Sequence, residues 1–250
     1  MRNHLIAGGI VAAVVVAIVA GVLLVGSGQN SLAEAAGRLD GQNVRMKMSI
    51  GYTMDGEDGS IAGEVISNSD SSRAKIDMEF SDGSGEKVPI QMLLIRDETW
   101  YTFDGLEELG AKWVYSVDRS TAPSTMSMAE FAEFLANADE VESKGETQIG
   151  GRTVEHFAGE VNAREVAEET GGETAKRFEK VLGDRDFFIP MEAWIDEAGR
   201  PARMTMSVDA GGESMSITAD ILEYGVTVDV QAPPESETMS EKEFDALTAG

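Results

Sequence analysis

The sequence offers two imidazoles, His4 and His156, and they stand in unrelated places. His4 lies beside an apolar run, and His156 sits within an alternating stretch. A serine-type triad or a metal centre needs an imidazole with partners held against it, and neither histidine has that company in the sequence. A solitary strand histidine reads as a solvent-facing residue. The chain has no cysteine, so thiolate nucleophiles, disulfides, iron–sulfur clusters and cysteine-held zinc are excluded. Asp55, Glu57 and Asp58 gather three carboxylates in one short stretch. Their spacing is not that of a calcium loop and reads as an acidic hairpin turn. There is no glycine-rich phosphate loop of the nucleotide-binding kinds. A carboxylate-only mechanism would need a convergent pair with shifted pKa values, which spacing cannot pick out of an acid-rich chain. The expectation is therefore a protein without catalytic residues, metal or cofactor.

The notable chemistry is methionine. Met46, Met48, Met78, Met92, Met204, Met206 and Met215 fall in strand-like stretches, many at apolar positions of the alternation. Methionine is flexible and polarizable and recurs on surfaces that adapt to ligands of variable shape. Packed cores prefer the stiffer Val, Leu and Ile. Two readings follow: a sheet face that receives acyl chains or isoprenoids, or a dry core in which methionine fills gaps.

The elements that must position these residues begin with a membrane segment. Leu5 to Val25 is an uncharged run of Leu, Ile, Val, Ala and Gly, long enough to cross a bilayer as a helix, which takes roughly 20 residues. Arg2, His4 and the amino terminus precede it, so the positive-inside tendency sends the remainder out of the cytoplasm. Either the segment stays as an anchor or it is cut as a signal peptide, Val25-Gly26-Ser27 offering small residues. Leu24-Val25-Gly26-Ser27 looks like a bacterial lipobox with Ser27 where the lipidated cysteine would stand.

Beyond a juxtamembrane stretch, with a short helix through Leu32 to Leu39, the pattern turns to period two. Strands are predicted at Arg45–Ile50, Ser60–Ser67, Arg73–Phe80, Lys87–Arg96, Trp100–Phe103 and Lys112–Val117. Lys87–Arg96 is nearly continuous apolar and implies cover on both faces. A helix follows from Ser127, with capping-box spacing to Glu130 and with Met128, Phe131, Leu135 and Ala138 on one face. Two strands, Glu142–Ile149 and Thr153–Val161, lead to a second helical stretch capped by Asn162 and broken at Gly171-Gly172. There Ala175, Phe178 and Leu182 share a side, and Gly183 closes the helix. Pro190–Asp196, Arg203–Asp209, Ser214–Glu223 and a short Val226–Val230 complete the strands, and Pro233-Pro234 ends the ordered core. An acidic tail remains, with a short helix after Ser240. At Trp194 the parity that buries Met191, Ala193 and Ile195 is preferred. The fold class is α+β: an antiparallel sheet with one wet face, whose apolar face the helices must cover.

The formal net charge is -25, from 45 acidic and 20 basic residues. No basic block could track a phosphate backbone, which sets nucleic acid aside. So acidic a surface also resists an electrostatic grip on anionic lipid and reads as charge for solubility.

Several short motifs add a resemblance. Gly159 to Ala163, Glu192 to Asp196 followed by Gly199, and Tyr224-Gly225 leading to Ala232-Pro233-Pro234 carry it, with Lys112 to Tyr115 in the corresponding strand. Through them the chain, loosely from about residue 32 to 238, resembles the actinobacterial lipoproteins of the LppX/LprG group, relatives of the LolA lipoprotein carriers. The resemblance implies a half-barrel, a strongly curved antiparallel sheet whose concave face helices close around an apolar cavity that binds or carries lipids or glycolipids across the envelope. Ser27 departs from the lipoprotein pattern.

The expected organisation is an anchor or signal at 1–28, a juxtamembrane linker at 29–40, a lipid-binding domain at 41–235 and an acidic tail at 236–250. The cavity is expected to be lined by Met46, Met48, Ile50, Met78, Met92, Met204, Met206, Met215 and Ile217. Phe131, Leu135, Phe178 and Leu182 would close it, with Gly171-Gly172 as the entrance hinge. The expected partners are a membrane lipid or glycolipid, the membrane itself through residues 5–25, and an envelope transporter. The alternative is a membrane-tethered sensor or scaffold with a dry core and no lipid cargo.

Overall fold

The computed structural model describes residues 42–54, 56–68, 72–83, 85–96, 98–117, 139–162, 188–209 and 214–248. The expected membrane segment, juxtamembrane helix and two covering helices lie outside these residues. Among the described residues no helix is long and apolar enough to cross a membrane.

The alternating stretches form strands with small changes of boundary. They are β1 Val44–Met54, β2 Glu57–Ser67, β3 Arg73–Ser81, β4 Lys87–Ile95, β5 Glu98–Phe103 and β6 Trp113–Ser116. Beyond residues 118–138 come β7 Asp139–Ile149 and β8 Arg152–Asn162. Beyond residues 163–187 come β9 Phe188–Asp196, β10 Pro201–Asp209, β11 Ser214–Tyr224 and β12 Thr238–Ser240. Asn162, expected to cap a helix, is the last residue of β8. All twelve lie in one sheet, in the order β12-β6-β5-β4-β3-β2-β1-β11-β10-β9-β8-β7. The sheet is curved and does not close. Its pairs are antiparallel except β12 with β6. The β7–β8 hairpin turns on Gly150-Gly151, both at positive φ (58° and 79°), as a two-residue turn that follows the strand twist demands.

Period-two alternation gives the sheet an inner apolar face. Val65, Ile76, Ala193, Met204 and Ile221 are essentially inaccessible there, in one cluster that spans β1 to β4 and β8 to β11. The parity at Trp194 is the one that buries Met191, Ala193 and Ile195. Gly63 sits on the inner face of β2, opposite Met48 and Met78. A Cβ at Gly63 would overlap the Asp77 carbonyl and the Met78 Cα, so β2 and β3 approach closely there, as glycine permits where a sheet bends.

The outer face is wet, and one register row crosses it from β8 to β4: His156, Trp194, Arg203, Asp220, Lys47, Glu64, Asp77 and Gln91. Within that row Arg203 Nε bonds Asp220 at 2.6 Å and the Gln91 amide donates to Asp77. Exposed pairs of this kind contribute about 0–1 kcal/mol each. They set register more than stability.

β4 is covered on both faces near its end, as its apolar run implies. Leu94 belongs to the inner cluster, and Leu93 packs outward with Trp100 and Val230. Val230 belongs to the stretch expected as a strand at 226–230. That stretch forms no ladder, because it crosses the outer face instead of lying beside a strand. Its burial still alternates, with Val228 and Val230 turned to the sheet, and Arg73 Nη1 donates to the Val230 carbonyl at 2.9 Å. Six strands separate β11 from β12. At about 4.8 Å per step the crossing is roughly 34 Å, within reach of residues 225–237 at about 3.3 Å per residue.

The ordered fold continues past Pro233-Pro234, where it was expected to end. β12 pairs with β6, and the short helix expected after Ser240 is α1, Glu241–Thr248. Ser240 and Glu243 form a capping box. The Glu243 amide donates to Ser240 Oγ at 3.3 Å, and the Ser240 amide donates to Glu243 Oε2 at 2.9 Å.

Two predictions follow from this framework. Gly63→Ala should lower unfolding stability by about 1–3 kcal/mol, read as a reduced urea midpoint with unchanged slope. The Ser240 hydroxyl, and then its amide, hold the Glu243 carboxyl below its ordinary 4.5. A carboxyl depressed in the folded state stabilises above its unfolded pKa and loses that contribution as pH falls through the folded one. The cap should hold at neutral pH and loosen only in acid, below the ordinary carboxyl pKa of 4.5, as followed by the NMR shift of the Ser240 amide.

Candidate functional site

All nine sheet positions singled out from the sequence lie on the inner face. Met46, Ile50, Met204, Met206, Met215 and Ile217 are buried in its cluster, and Met48, Met78 and Met92 are half-buried against it. Phe131, Leu135, Phe178, Leu182 and the Gly171-Gly172 break lie outside the described residues.

The inner face is not uniform. Its first register row, Val44, Ser67, Ala74, Leu94, Thr99 and Ser116, is fully buried. In the next, Met46, Val65 and Ile76 are buried while Met92 and Tyr101 are half-exposed. The row through Met48, Gly63, Met78, Ile90 and Phe103 is half-buried throughout. So are Ile61, Phe80 and Val88 in the row of Ile50. Over β2 to β5 the face is therefore a trough, closed at the Val44 end and increasingly open toward the β1–β2 hairpin. On the other flank the inward residues of β9, Ile189, Met191, Ala193 and Ile195, are all buried. That flank packs as a core, and the β2–β5 flank has apolar surface to spare.

Sequence reading missed Ile61, Phe80, Val88, Ile90, Tyr101 and Phe103 as trough residues. Their signal was the same alternation that placed the methionines, but nothing in composition marked them. The trough floor carries no ionised group. The Tyr101 phenol is pushed well above its ordinary 10 by burial, then by the carboxylates of Glu241 and Asp245. Burial, and then Asp82, raise Tyr52, which lies on the same face toward the open end. Both phenols are neutral at physiological pH, so the surface offers van der Waals contact and hydroxyl hydrogen bonds but no charge.

The two sequence features weighed for other chemistry sit elsewhere. His156 was expected to face solvent. It is half-buried on the outer face, stacked flat on Trp194 at 4.4 Å, with Arg203 over the same indole at 6.0 Å. Its Nε2 lies 3.4 Å from Glu192 Oε2 without hydrogen-bond geometry. Of the acidic turn, Asp58 accepts a 2.7 Å hydrogen bond from Thr53, and Asp55 lies outside the described residues. Among the described residues no three His, Asp or Glu side chains converge as metal ligands.

No family model and no curated protein matches the chain. Solved structures do. LprF from Mycobacterium bovis aligns over 81% of this chain and 94% of its own, at 13% identity and a TM-score of 0.49. The Mycobacterium tuberculosis lipoprotein LppX aligns over 80% of this chain and 94% of its own, at 15% identity and a TM-score of 0.48. MucB in complex with MucA(peri) aligns over 83% of this chain and 60% of its own, at 14% identity and a TM-score of 0.35. LppX gives its name to the group whose motifs the sequence resembles.

The two flanks should respond differently to truncation. Met204→Ala, in the packed flank, should cost about 2–5 kcal/mol of unfolding stability. Met78→Ala, at the half-open trough, should cost distinctly less, both read by chemical denaturation.

Proposed function

We propose that this protein binds a lipid or glycolipid in the trough over β2 to β5 and performs no chemistry on it. The observation that carries this reading is the incompletely buried apolar floor itself. Met48, Met78, Met92, Ile90 and Phe103 lie together on an inward sheet face that a dry core would have buried. Each methylene buried there contributes about 0.8 kcal/mol, and methionine lets the wall follow chains of different shape. The neutral phenols at its margins and the absence of charge on the floor suit the apolar part of a lipid better than a polar substrate.

In this reading the segments 128–138 and 163–182 form helices that cover the inner face, with Phe131, Leu135, Phe178 and Leu182 turned to the ligand and Gly171-Gly172 as the hinge of the entrance. Residues 5–25 hold the protein in a cell membrane with the sheet domain outside the cytoplasm, or are cleaved on export. A tethered protein of this kind takes lipid from its own leaflet, holds it, and hands it to a neighbour such as an envelope transporter.

Native mass spectrometry of residues 31–250, purified without detergent and with the organic extract analysed for lipid, tests this. A co-purifying lipid near one per chain is expected, and Met78→Trp should reduce its occupancy several-fold by filling the trough. A mass that stays apo after incubation with liposomes would sink the reading and leave a tethered scaffold or sensor in its place.

A further inference from the structure

The β5 end of the trough is occupied by the chain's own C-terminus. Tyr101 and Phe103 point to the inner face with their rings stacked, centroids 6.4 Å apart. Phe244 of α1 meets both edge-on, at 6.4 Å from Tyr101 and 5.9 Å from Phe103. The C-terminal run thus crosses the outer face, rounds the β6 edge as β12 and returns on the inner side.

The helix that brings Phe244 there is lightly held. It contains no buried residue, and Leu247, one turn beyond Phe244, is 55% exposed. Ser116 Oγ donates to Glu241 Oε2 at 2.6 Å, and Lys112 Nζ reaches Glu237 at 3.1 Å just before it. A helix of about two turns is marginal in water without packing, so the seat of α1 depends on the Phe244 contact and the Ser116–Glu241 bond. That contact is apolar and uses no directional hydrogen bond, so any other apolar group can replace it.

We infer that the β5 end of the trough is a subsite for an apolar lipid chain, held shut by Phe244 until such a chain displaces α1. The inference rests on the lipid reading above. Phe244 is a stand-in for the ligand, and α1 is a plug. An acyl or isoprenoid chain that extends from the Met48–Met78 row toward Phe103 meets Phe244 first. Longer chains displace it, and shorter ones leave it in place.

The test uses the full chain in phosphatidylcholine vesicles that carry a trace of phosphatidylcholine with a photoactivatable acyl chain. Cross-link yield and position are read by peptide mass spectrometry, and hydrogen exchange over residues 241–248 is read in parallel. Phe244→Ala should raise the yield about three- to tenfold, from the strength of an aromatic pair, with new cross-links in Ile90 to Phe103. It should also speed exchange over 241–248. Glu241→Gln, which weakens the Ser116 bond and removes one charge near Tyr101 while leaving the apolar side chains of the trough in place, should move both readouts the same way by less, and serves if Phe244→Ala misfolds. An unchanged or lower yield with a labelled wild type would make α1 a wall and overturn the plug while the lipid reading stands. Unchanged exchange over 241–248 in Phe244→Ala overturns it as well. No labelling of any version removes the lipid reading and the subsite together.

Discussion

A sheet that curls without closing has an inner face and no second sheet to bury it against. Every inward side chain of the twelve strands must find cover in the curvature itself or in segments that are not strands. The described residues show two answers. Across β9 to β11 most inward residues, from Ile189 to Ile195, Met204 and Met206, and Met215 to Ile221, are buried. Across β2 to β5 the same alternation leaves a partly half-buried floor, and the piece of chain seen on it is a short helix held by Phe244 and the Ser116–Glu241 bond. The difference between the flanks is in how far the inward residues are covered, since both present mainly apolar residues on that face.

Curvature also explains where the small residue falls. On the inner side of a bent sheet, side chains converge and backbones crowd, and Gly63 lies where a Cβ would overlap the β3 backbone. The methionines on either side, Met48 and Met78, are the residues best able to fill a space whose shape changes along the strand. The outer side has the opposite problem. Side chains splay there, and the polar row from His156 to Gln91 is supplemented by an apolar patch of Leu93 and Trp100 under Val230. The C-terminal run therefore acts on both surfaces of one sheet.

The strands were legible because their alternation is local. Arg203, Thr205 and Ser207 against Met204, Met206 and Val208 placed β10 within two residues of its bounds, and the preferred parity at Trp194 was the observed one. What the sequence could not supply was pairing. Val226–Val230 alternates as well as any strand, and only the absence of a partner beside it makes it a crossing segment. β12 is three residues long and pairs in parallel with β6, a contact no local pattern predicts. Phe244 looked like part of a solvated acidic tail. The signal that could have promoted it was the Ser240 and Glu243 capping box followed by Phe244 and Leu247 on one helical face. The helices expected to cover the inner face, with Phe131, Leu135, Phe178 and Leu182, belong to stretches of which only the sequence speaks.

The central pairing has a consequence in time. β1 lies between β2 and β11, and the Arg45 to Glu223 contact joins positions 178 apart in the chain. Half of the hydrogen bonds of the first strand must wait for nearly the last. A hairpin can form on β1 and β2 within microseconds, but the edge β1 offers to β11 stays unpaired until most of the chain has been made and, for an exported chain, delivered. Such topologies fold slowly and expose strand edges to neighbours meanwhile. A strongly acidic chain repels copies of itself during that interval, so the net charge of -25 guards the unfinished sheet as well as the finished surface.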